Sequence, residues 1–296
     1  MEKKNMEIQA INHQTIGQRL KSYKRSPLSL VLLLLVSVSA LLTVLTLLFL
    51  IAYILIKGIP YLTPSLFAWE YNTDNVSMMP AIINTITMVL LALLFSVPFG
   101  IGAAIYLVEY AKKGNKLVEL VRITAETLTG IPSIIYGLFG MLFFVTALHW
   151  GYSMLAGAAT LAIMVLPVIM RTTEEALLCV PDMYREGSFG LGAGKLRTIF
   201  KIVLPTAIPG ILSGIILAIG RIVGETAALI YTAGTVAEAA GVMDSGRTLA
   251  IHMYSLSREG LHTNEAYATA VVLLIVVLLI NGLSSLIARK LEAATK

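Results

Sequence analysis

The chain has 296 residues, of which 57% are hydrophobic and 13% are charged, and its mean hydropathy is +0.84. Soluble domains carry about 25% charged residues, so this composition excludes an ordinary soluble domain and predicts a protein embedded in lipid. The net charge of +5 does not indicate a nucleic-acid-binding protein, because the basic residues stand between apolar runs instead of forming one cluster.

The N-terminal region predicts a tail followed by a membrane anchor. The first apolar run, Pro27 to Ile56, is longer than the core of a signal peptide, and no small-residue cleavage pattern follows it. We therefore predict a cytoplasmic tail over residues 1–27 and a leading transmembrane helix over residues 28–56.

Five further apolar runs are long enough to cross about 30 Å of hydrocarbon. They lie near residues 80–108, 124–148, 152–170, 208–232 and 267–288. The chain is thus expected to be an all-α membrane protein with six transmembrane helices.

The positions of lysine and arginine predict the orientation of these helices. Basic residues concentrate in the tail, in the second and fourth connections and at the C-terminus, whereas the alternate connections hold Lys57, Arg247 and Arg258. Because basic loops stay on the cytoplasmic side, we expect both termini to be cytoplasmic.

Several predicted spans contain helix-disrupting residues, including Pro98, Pro132 and Pro167. Kinked helices with small residues either pack closely against each other or line a permeation pathway, and both interpretations stay open. No internal repeat is visible, so the inverted-repeat design of many secondary transporters has no support.

Two small groups of charged residues flank the predicted spans. Arg122 and Glu126 lie four residues apart near the start of the third span and are expected to form an ordinary interfacial pair. The outer loop before the sixth span is about 34 residues long, which favours a role in docking another protein. Its charged residues are Glu238, Asp244, Arg247, Arg258 and Glu259.

The connection between the fourth and fifth spans predicts a compact helix-turn-helix outside the membrane. Pro181 with Asp182 is typical of a helix start, and a short helix is expected from Tyr184 to Phe189. Glycines allow a turn with positive φ, after which a second helix is expected from Lys195 until Pro205. These glycines are Gly190, Gly192 and Gly194.

Part of this connection superficially suggests a phosphate-binding loop. A Walker A loop needs glycine where Phe189 stands and serine or threonine where Leu196 stands. The chain also offers no set of nucleophile, base and oxyanion donors. We therefore predict that it is not an enzyme and does not hydrolyse ATP. No histidine stands at a spacing typical of metal ligands, and the single cysteine, Cys179, excludes a disulfide within the chain.

The same connection resembles the EAA loop of binding-protein-dependent ABC importer permeases. The residues that match its spacing are Glu186, Gly187, Ser188, Gly192, Ile202, Leu204 and Pro205. Gly187 and Ser188 replace the usual pair of alanines, and both are small enough for close docking. Glycine weakens the helix by about 1 kcal/mol relative to alanine.

The resemblance implies a type I permease fold over residues 78–289, with the EAA loop over residues 174–205. It also implies that this loop forms a coupling helix seated on a separate ATPase subunit. ATP and Mg²⁺ would then be bound by that partner, and this chain would hold no cofactor.

Three further segments resemble phosphate-importer permeases, more closely the PstA-type than the paralogous PstC-type subunit. They are Ala103–Tyr110, Gly130–Phe139 and Ala218–Ala227. The implied partners are a PstC-type permease, two copies of a PstB-type ATPase and a PstS-type phosphate-binding protein, in a bacterial or archaeal inner membrane. A phosphate-signalling regulator is left open as a further partner.

Arg221 and Glu225 are the predicted translocation-pathway residues. A helix from Ile208 to Thr232 would put Arg221 near mid-membrane, where an ionised side chain costs at least about 2.5–3.5 kcal/mol unless it is paired or hydrated. The two residues would share a helix face and either form a structural ion pair or face the substrate. Arginine suits phosphate because its planar fork donates two hydrogen bonds to one oxyanion.

Three other functions stay open from the residues alone. The same machine could carry molybdate, sulfate or an organic solute. An ion-coupled secondary transporter would need several acidic groups within the membrane, where Glu225 is almost alone. A scaffold or sensor that no longer transports is the third alternative, against which the intact EAA spacing argues.

Overall fold

The computed structural model describes residues 27–112 and 114–295, and no strand occurs among them. The chain divides into two compact units, Met1–Ile54 and Leu55–Lys296. The predicted cytoplasmic tail lies outside the described residues except for Pro27.

The described part of the first unit is a single helix. This helix, α1, spans Pro27–Gly58, so its last residues, from Leu55 onward, belong to the second unit. Its sequence is almost entirely aliphatic, and no charged residue occurs before Lys57. The hydroxyls of Thr43 and Thr46 donate to backbone carbonyls four residues back at 2.9 and 2.8 Å. Such internal bonding lets these residues lie in hydrocarbon.

Ten further α-helices occur among the described residues of the second unit. They are α2 (Met79–Ile105), α3 (Lys116–Thr129), α4 (Ser133–Gly140), α5 (Met154–Leu178), α6 (Asp182–Gly190), α7 (Lys195–Thr198), α8 (Leu204–Val223), α9 (Ala227–Ile230), α10 (Leu249–Glu259) and α11 (Thr263–Thr295). Three π-helical segments extend them: Tyr106–Tyr110 after α2, Met141–Ala147 after α4, and Ile199–Val203 between α7 and α8.

Five helices of the described residues are long and apolar enough to cross a membrane, and a sixth span arises if one bent pair is counted as a single span. The bent pair is α3 with the run Ser133–Ala147, which meet at 103°. The prediction of one helix over residues 124–148 is therefore wrong. Pro132 lacks an N–H and disfavours helical geometry at the preceding residue, so the helix ends there.

The core of the second unit is built around α5. In its most apolar stretch 67% of the residues are buried, against 33% for α2 and 11% for α11. The side chains at the centre of this core come from α2, α5, α8 and α9. They include Met88, Leu161, Met164, Ile169, Ile222 and Leu229.

The fifth span differs from its prediction at both ends. Lys195–Val223 forms one continuous helical run of 29 residues, so the helix does not stop at Pro205. Pro205 lies in the first turn of α8, which directly follows the π-helical segment Ile199–Val203. The run ends at Val223, and a break over residues 224–226 separates it from α9. The predicted helix from Ile208 to Thr232 is thus interrupted.

We expect Gly137→Val to destabilise the protein, because α4 and α9 approach each other there. A Cβ at Gly137 would lie 2.7 Å from the Ala228 Cα and 3.0 Å from its carbonyl oxygen, both backbone atoms. Overpacking of this kind costs about 1–3 kcal/mol. A thermal-unfolding midpoint several degrees below wild type, measured in detergent, is the expected result. Gly102→Ala is the control, since nothing lies within 4 Å of a Cβ there.

Candidate functional site

The first part of the candidate site is a hairpin formed by α6, a glycine turn and α7, here called the hairpin (residues 182–198). Gly192 has φ of +82° and makes the turn; Gly190 and Gly194, which were predicted to share this role, do not have positive φ. Inside the hairpin the Ser188 and Thr198 hydroxyls form a buried hydrogen bond of 2.8 Å. This bond fixes α6 against α7.

The predicted coupling-loop residues divide into two sets. Glu186, Gly187 and Gly192 are exposed, whereas Ser188 is buried inside the hairpin. The remaining three, Ile202, Leu204 and Pro205, are half-buried where the hairpin joins α8. The exposed set is thus available to a partner, and the other residues support the hairpin from within or below.

The hairpin carries large apolar side chains that no part of the described chain covers. Leu191 at its turn is 91% exposed, and Met183 on α6 is 70% exposed. A Cβ at Gly187 would meet nothing within 4 Å, so the packing of the chain does not itself require glycine there. Contiguous exposed apolar groups mark interaction surfaces.

Arg185 connects the hairpin to the helices beneath it. Its guanidinium donates to the Glu109 carboxylate at 2.9 and 3.0 Å and to the carbonyls of Leu177 and Val180 at 2.9 and 2.7 Å. The motif spacing did not identify Arg185 or Glu109. Glu109 lies 76 positions before Arg185 in the chain, and no local sequence pattern predicts that the two residues pair.

Arg122 and Glu126 of α3 pair with residues of α5 and not with each other. Arg122 forms an ion pair with the buried Glu174, and Glu126 lies 3.6 Å from Arg171. The expectation of a pair between Arg122 and Glu126 is therefore wrong. These two side chains of α3 instead connect α3 to α5.

The second part of the candidate site surrounds Arg221, in the last turn of α8. Its side chain is half-buried and has no hydrogen bond or ion pair within the described residues, although its charge acts on the nearby Tyr136. Arg221 lines a groove of about 480 Å³ with Val168, Ile216, Leu217, Gly220 and Asn281. The Asn281 Oδ1 is buried and has no hydrogen-bond partner among the described residues.

Glu225 does not share a helix face with Arg221, because the helix has ended at Val223. Its buried carboxylate accepts a hydrogen bond of 3.1 Å from the Ala228 N–H and so caps α9. No ion pair joins it to Arg221 within residues 114–295, which corrects the expected mutual neutralisation of the two charges.

The loop between α9 and α10 is anchored to the core by Asn84 of α2. The Asn84 amide donates to the Glu238 carbonyl at 2.8 Å and accepts from the Ala240 N–H at 2.9 Å.

The buried Arg247 lies 4.6 Å from the centre of the Tyr71 ring. Burial and the neighbouring Arg247 charge lower the pKa of His252 to about 3, so its imidazole is neutral at physiological pH.

The profile of the family described as "Binding-protein-dependent transport system inner membrane component" matches residues 96–296. The "Probable ABC transporter permease protein YqgI" of Bacillus subtilis is 33% identical over 272 residues, which cover 82% of this chain and 90% of that protein.

Another relative is the "Phosphate transport system permease protein PstA" of Yersinia pestis. It is 36% identical over 242 residues, or 79% of this chain and 81% of that protein. The structure is also similar to a chain of a bacterial alginate ABC transporter solved with its periplasmic protein, with a TM-score of 0.68 and 17% identity over 92% of this chain and 97% of that one. At this identity the structural match supports the fold alone.

Proposed function

The chain belongs to the family of binding-protein-dependent transport system inner membrane components, and on that premise we propose that it is the permease subunit of an ATP-driven phosphate importer. It is a multi-pass inner membrane protein with the type I importer permease fold. It is not an enzyme, since ATP hydrolysis in such systems is performed by a separate subunit.

The observation that carries this proposal is the exposed hairpin. Its second helix, α7, is the start of the continuous helical run Lys195–Val223, so a force on the hairpin acts on a membrane helix without an intervening flexible segment. The exposed Leu191 gives a partner an apolar contact. The open space at Gly187 allows the partner to approach the backbone closely. A permease driven by another chain needs both an exposed surface on which that chain can dock and a rigid connection from this surface to a membrane helix.

Phosphate is the proposed cargo because a relative aligned over most of both chains is named a phosphate transport system permease, and because Arg221 lacks a counter-charge. An arginine in hydrocarbon needs an anion or water, and its fork matches the oxygens of phosphate. Permeases for molybdate, sulfate or organic solutes are the alternative. The guanidinium fork would match the oxygens of sulfate or molybdate as well, so the choice of phosphate depends on the named relative.

As an ABC importer permease, the chain works with an ATPase and a substrate-binding protein. We propose the specific set of a PstC-type second permease, two PstB-type ATPase copies that bind ATP and Mg²⁺, and a PstS-type phosphate-binding protein. The loop between α9 and α10 is the proposed docking place for the binding protein. Val242 and Met243 are exposed there on a backbone held by Asn84.

The proposed orientation places both termini and the hairpin in the cytoplasm, as the distribution of basic residues favours. The proposed division of the chain is a tail over residues 1–27, a leading transmembrane helix over residues 28–56 and the permease domain over residues 78–289. No metal or cofactor is assigned to this chain in the proposal.

In the proposed mechanism, ATP-driven closure of the ATPase pulls on the hairpin and switches the pathway from inward- to outward-facing. Arg221 attracts the phosphate released by the binding protein, and Glu225 holds the start of α9 beside it through the Ala228 N–H. A single positive group retains a multiply charged anion weakly enough for it to leave again.

Transport by the complete complex in proteoliposomes tests this function. We expect the ATPase to copurify with the chain and phosphate uptake to require both ATP and the binding protein. Sulfate and molybdate serve as matched cargo controls. Absence of the ATPase from the purified complex would contradict the importer assignment, and ATP-dependent uptake of sulfate or molybdate in place of phosphate would contradict the cargo.

A further inference from the structure

Three separate elements meet at the side chain of Arg185. The arginine belongs to α6, Glu109 belongs to the π-helical segment that ends α2, and the carbonyls of Leu177 and Val180 lie at the end of α5. The Arg185 side chain is 13% exposed and that of Glu109 is 8% exposed. Water is largely excluded, so the pair is screened little and its geometry is well defined.

A second contact reaches the same segment from the other helix of the hairpin. The Lys195 ammonium of α7 lies 4.7 Å from the centre of the Tyr110 ring, a cation–π geometry. The consecutive residues Glu109 and Tyr110 are therefore held by α6 and α7 respectively. The end of α2 thus contacts both halves of the hairpin.

The segment that receives these contacts is a π-helix. Its wider turn is closed by a bond of 2.9 Å from the Ala111 N–H to the Tyr106 carbonyl, five residues back. Single π-helical turns are rare and occur frequently at functional sites. Another π-helical segment, Ile199–Val203, joins the hairpin to α8.

We propose that Arg185 and Glu109 are positioning residues that transmit movement of the hairpin to α2. The proposal rests on the function proposed above and specifies how the coupling is carried. The hairpin is joined covalently to α5 through residues 179–181 and to α8 through Ile199–Val203. It reaches α2 through side chains alone, chiefly through the buried Arg185 ion pair. Without that pair α5 and α8 still follow the hairpin, and α2 does not.

The test uses Glu109→Ala and Arg185→Ala in the complete complex in proteoliposomes, with ATP hydrolysis and phosphate uptake measured on the same vesicles. We expect the ATPase to stay bound and to hydrolyse ATP, while phosphate carried per ATP falls by about 5- to 150-fold, the usual range of coupling between two sites. Asp182→Asn is the matched control. It removes the negative charge of a side chain that is itself 85% exposed and lies 3.2 Å from the same arginine, and exposed ion pairs contribute little.

A covalent replacement separates transmission from mere folding of the hairpin. In a Cys179→Ser background, which removes the single native cysteine, Glu109→Cys with Arg185→Cys is treated with a short, reducible cross-linker. We expect cross-linking to restore phosphate carried per ATP and reduction to abolish it again. Wild-type transport by the alanine variants, or a loss of ATPase binding that cross-linking does not repair, would overturn the proposal. Failure of the wild-type complex to move phosphate would instead refute the proposed function.

Discussion

Replacing Arg221 by glutamine is expected to abolish phosphate uptake while leaving the protein inserted in the membrane and assembled with its ATPase. The guanidinium has no hydrogen-bond or ion-pair partner within the described residues, so its removal leaves no other group unpaired. Its charge acts on the nearby Tyr136, whose hydroxyl already donates to the Leu128 carbonyl at 2.8 Å. The fold therefore does not depend on the charge, whereas attraction of the anion does.

The size of the effect follows from the bond that is lost. A hydrogen bond to a charged group contributes up to about 3 kcal/mol, which corresponds to about 100-fold. Initial uptake rates in proteoliposomes measure it, and copurified ATPase reports assembly. Arg289→Gln, which removes the same charge from an exposed position near the end of α11, should transport normally. Near-normal uptake by Arg221→Gln would eliminate the pathway role of this residue.

The second large effect is expected at Gly187, where tryptophan should prevent the ATPase from binding. Because a Cβ at this position meets nothing within 4 Å, the large side chain leaves the isolated chain intact. It would instead occupy the space needed by a docked partner. Overpacking at an interface costs about 1–3 kcal/mol, or about 5- to 150-fold in affinity.

Gly187→Ala is the matched control for this variant. Alanine stabilises α6 by about 1 kcal/mol relative to glycine and adds a single methyl group, so binding of the ATPase should be retained. Affinity purification of the permease followed by quantification of bound ATPase measures both variants. If the tryptophan variant retained the ATPase at wild-type level, the partner would have to dock elsewhere than on this face of the hairpin.

Features encoded by neighbouring residues were predicted well from the sequence. The all-helical membrane fold, the importer family and the non-enzymatic role are confirmed. The hairpin followed from Pro181, Gly192 and the short helix between them, because capping and turn chemistry act over a few positions. The apolar runs gave the number of spans to within the single bent pair.

Features that depend on distant residues were not predicted. Arg185 and Glu109 are 76 positions apart, and Arg122 pairs with Glu174 across two helices. Arg122 has a nearer candidate in Glu126 but pairs with Glu174 in the folded chain. Arg185 contacts its near neighbour Asp182 and in addition forms the buried pair with the distant Glu109. The break before Glu225 was missed for a related reason, since Gly224 alone does not end a helix. A carboxylate that caps the next helix stabilises the interruption.

The unbroken course of Lys195–Val223 makes this helix a lever. Twenty-six residues separate Lys195 from Arg221 in the sequence, which corresponds to about 39 Å along the axis. If the run tilts as one body by about 10°, its far end sweeps about 7 Å, given that length. In the proposed mechanism, a small tilt imposed by the ATPase at the hairpin would thus become a lateral displacement of several ångströms beside Arg221.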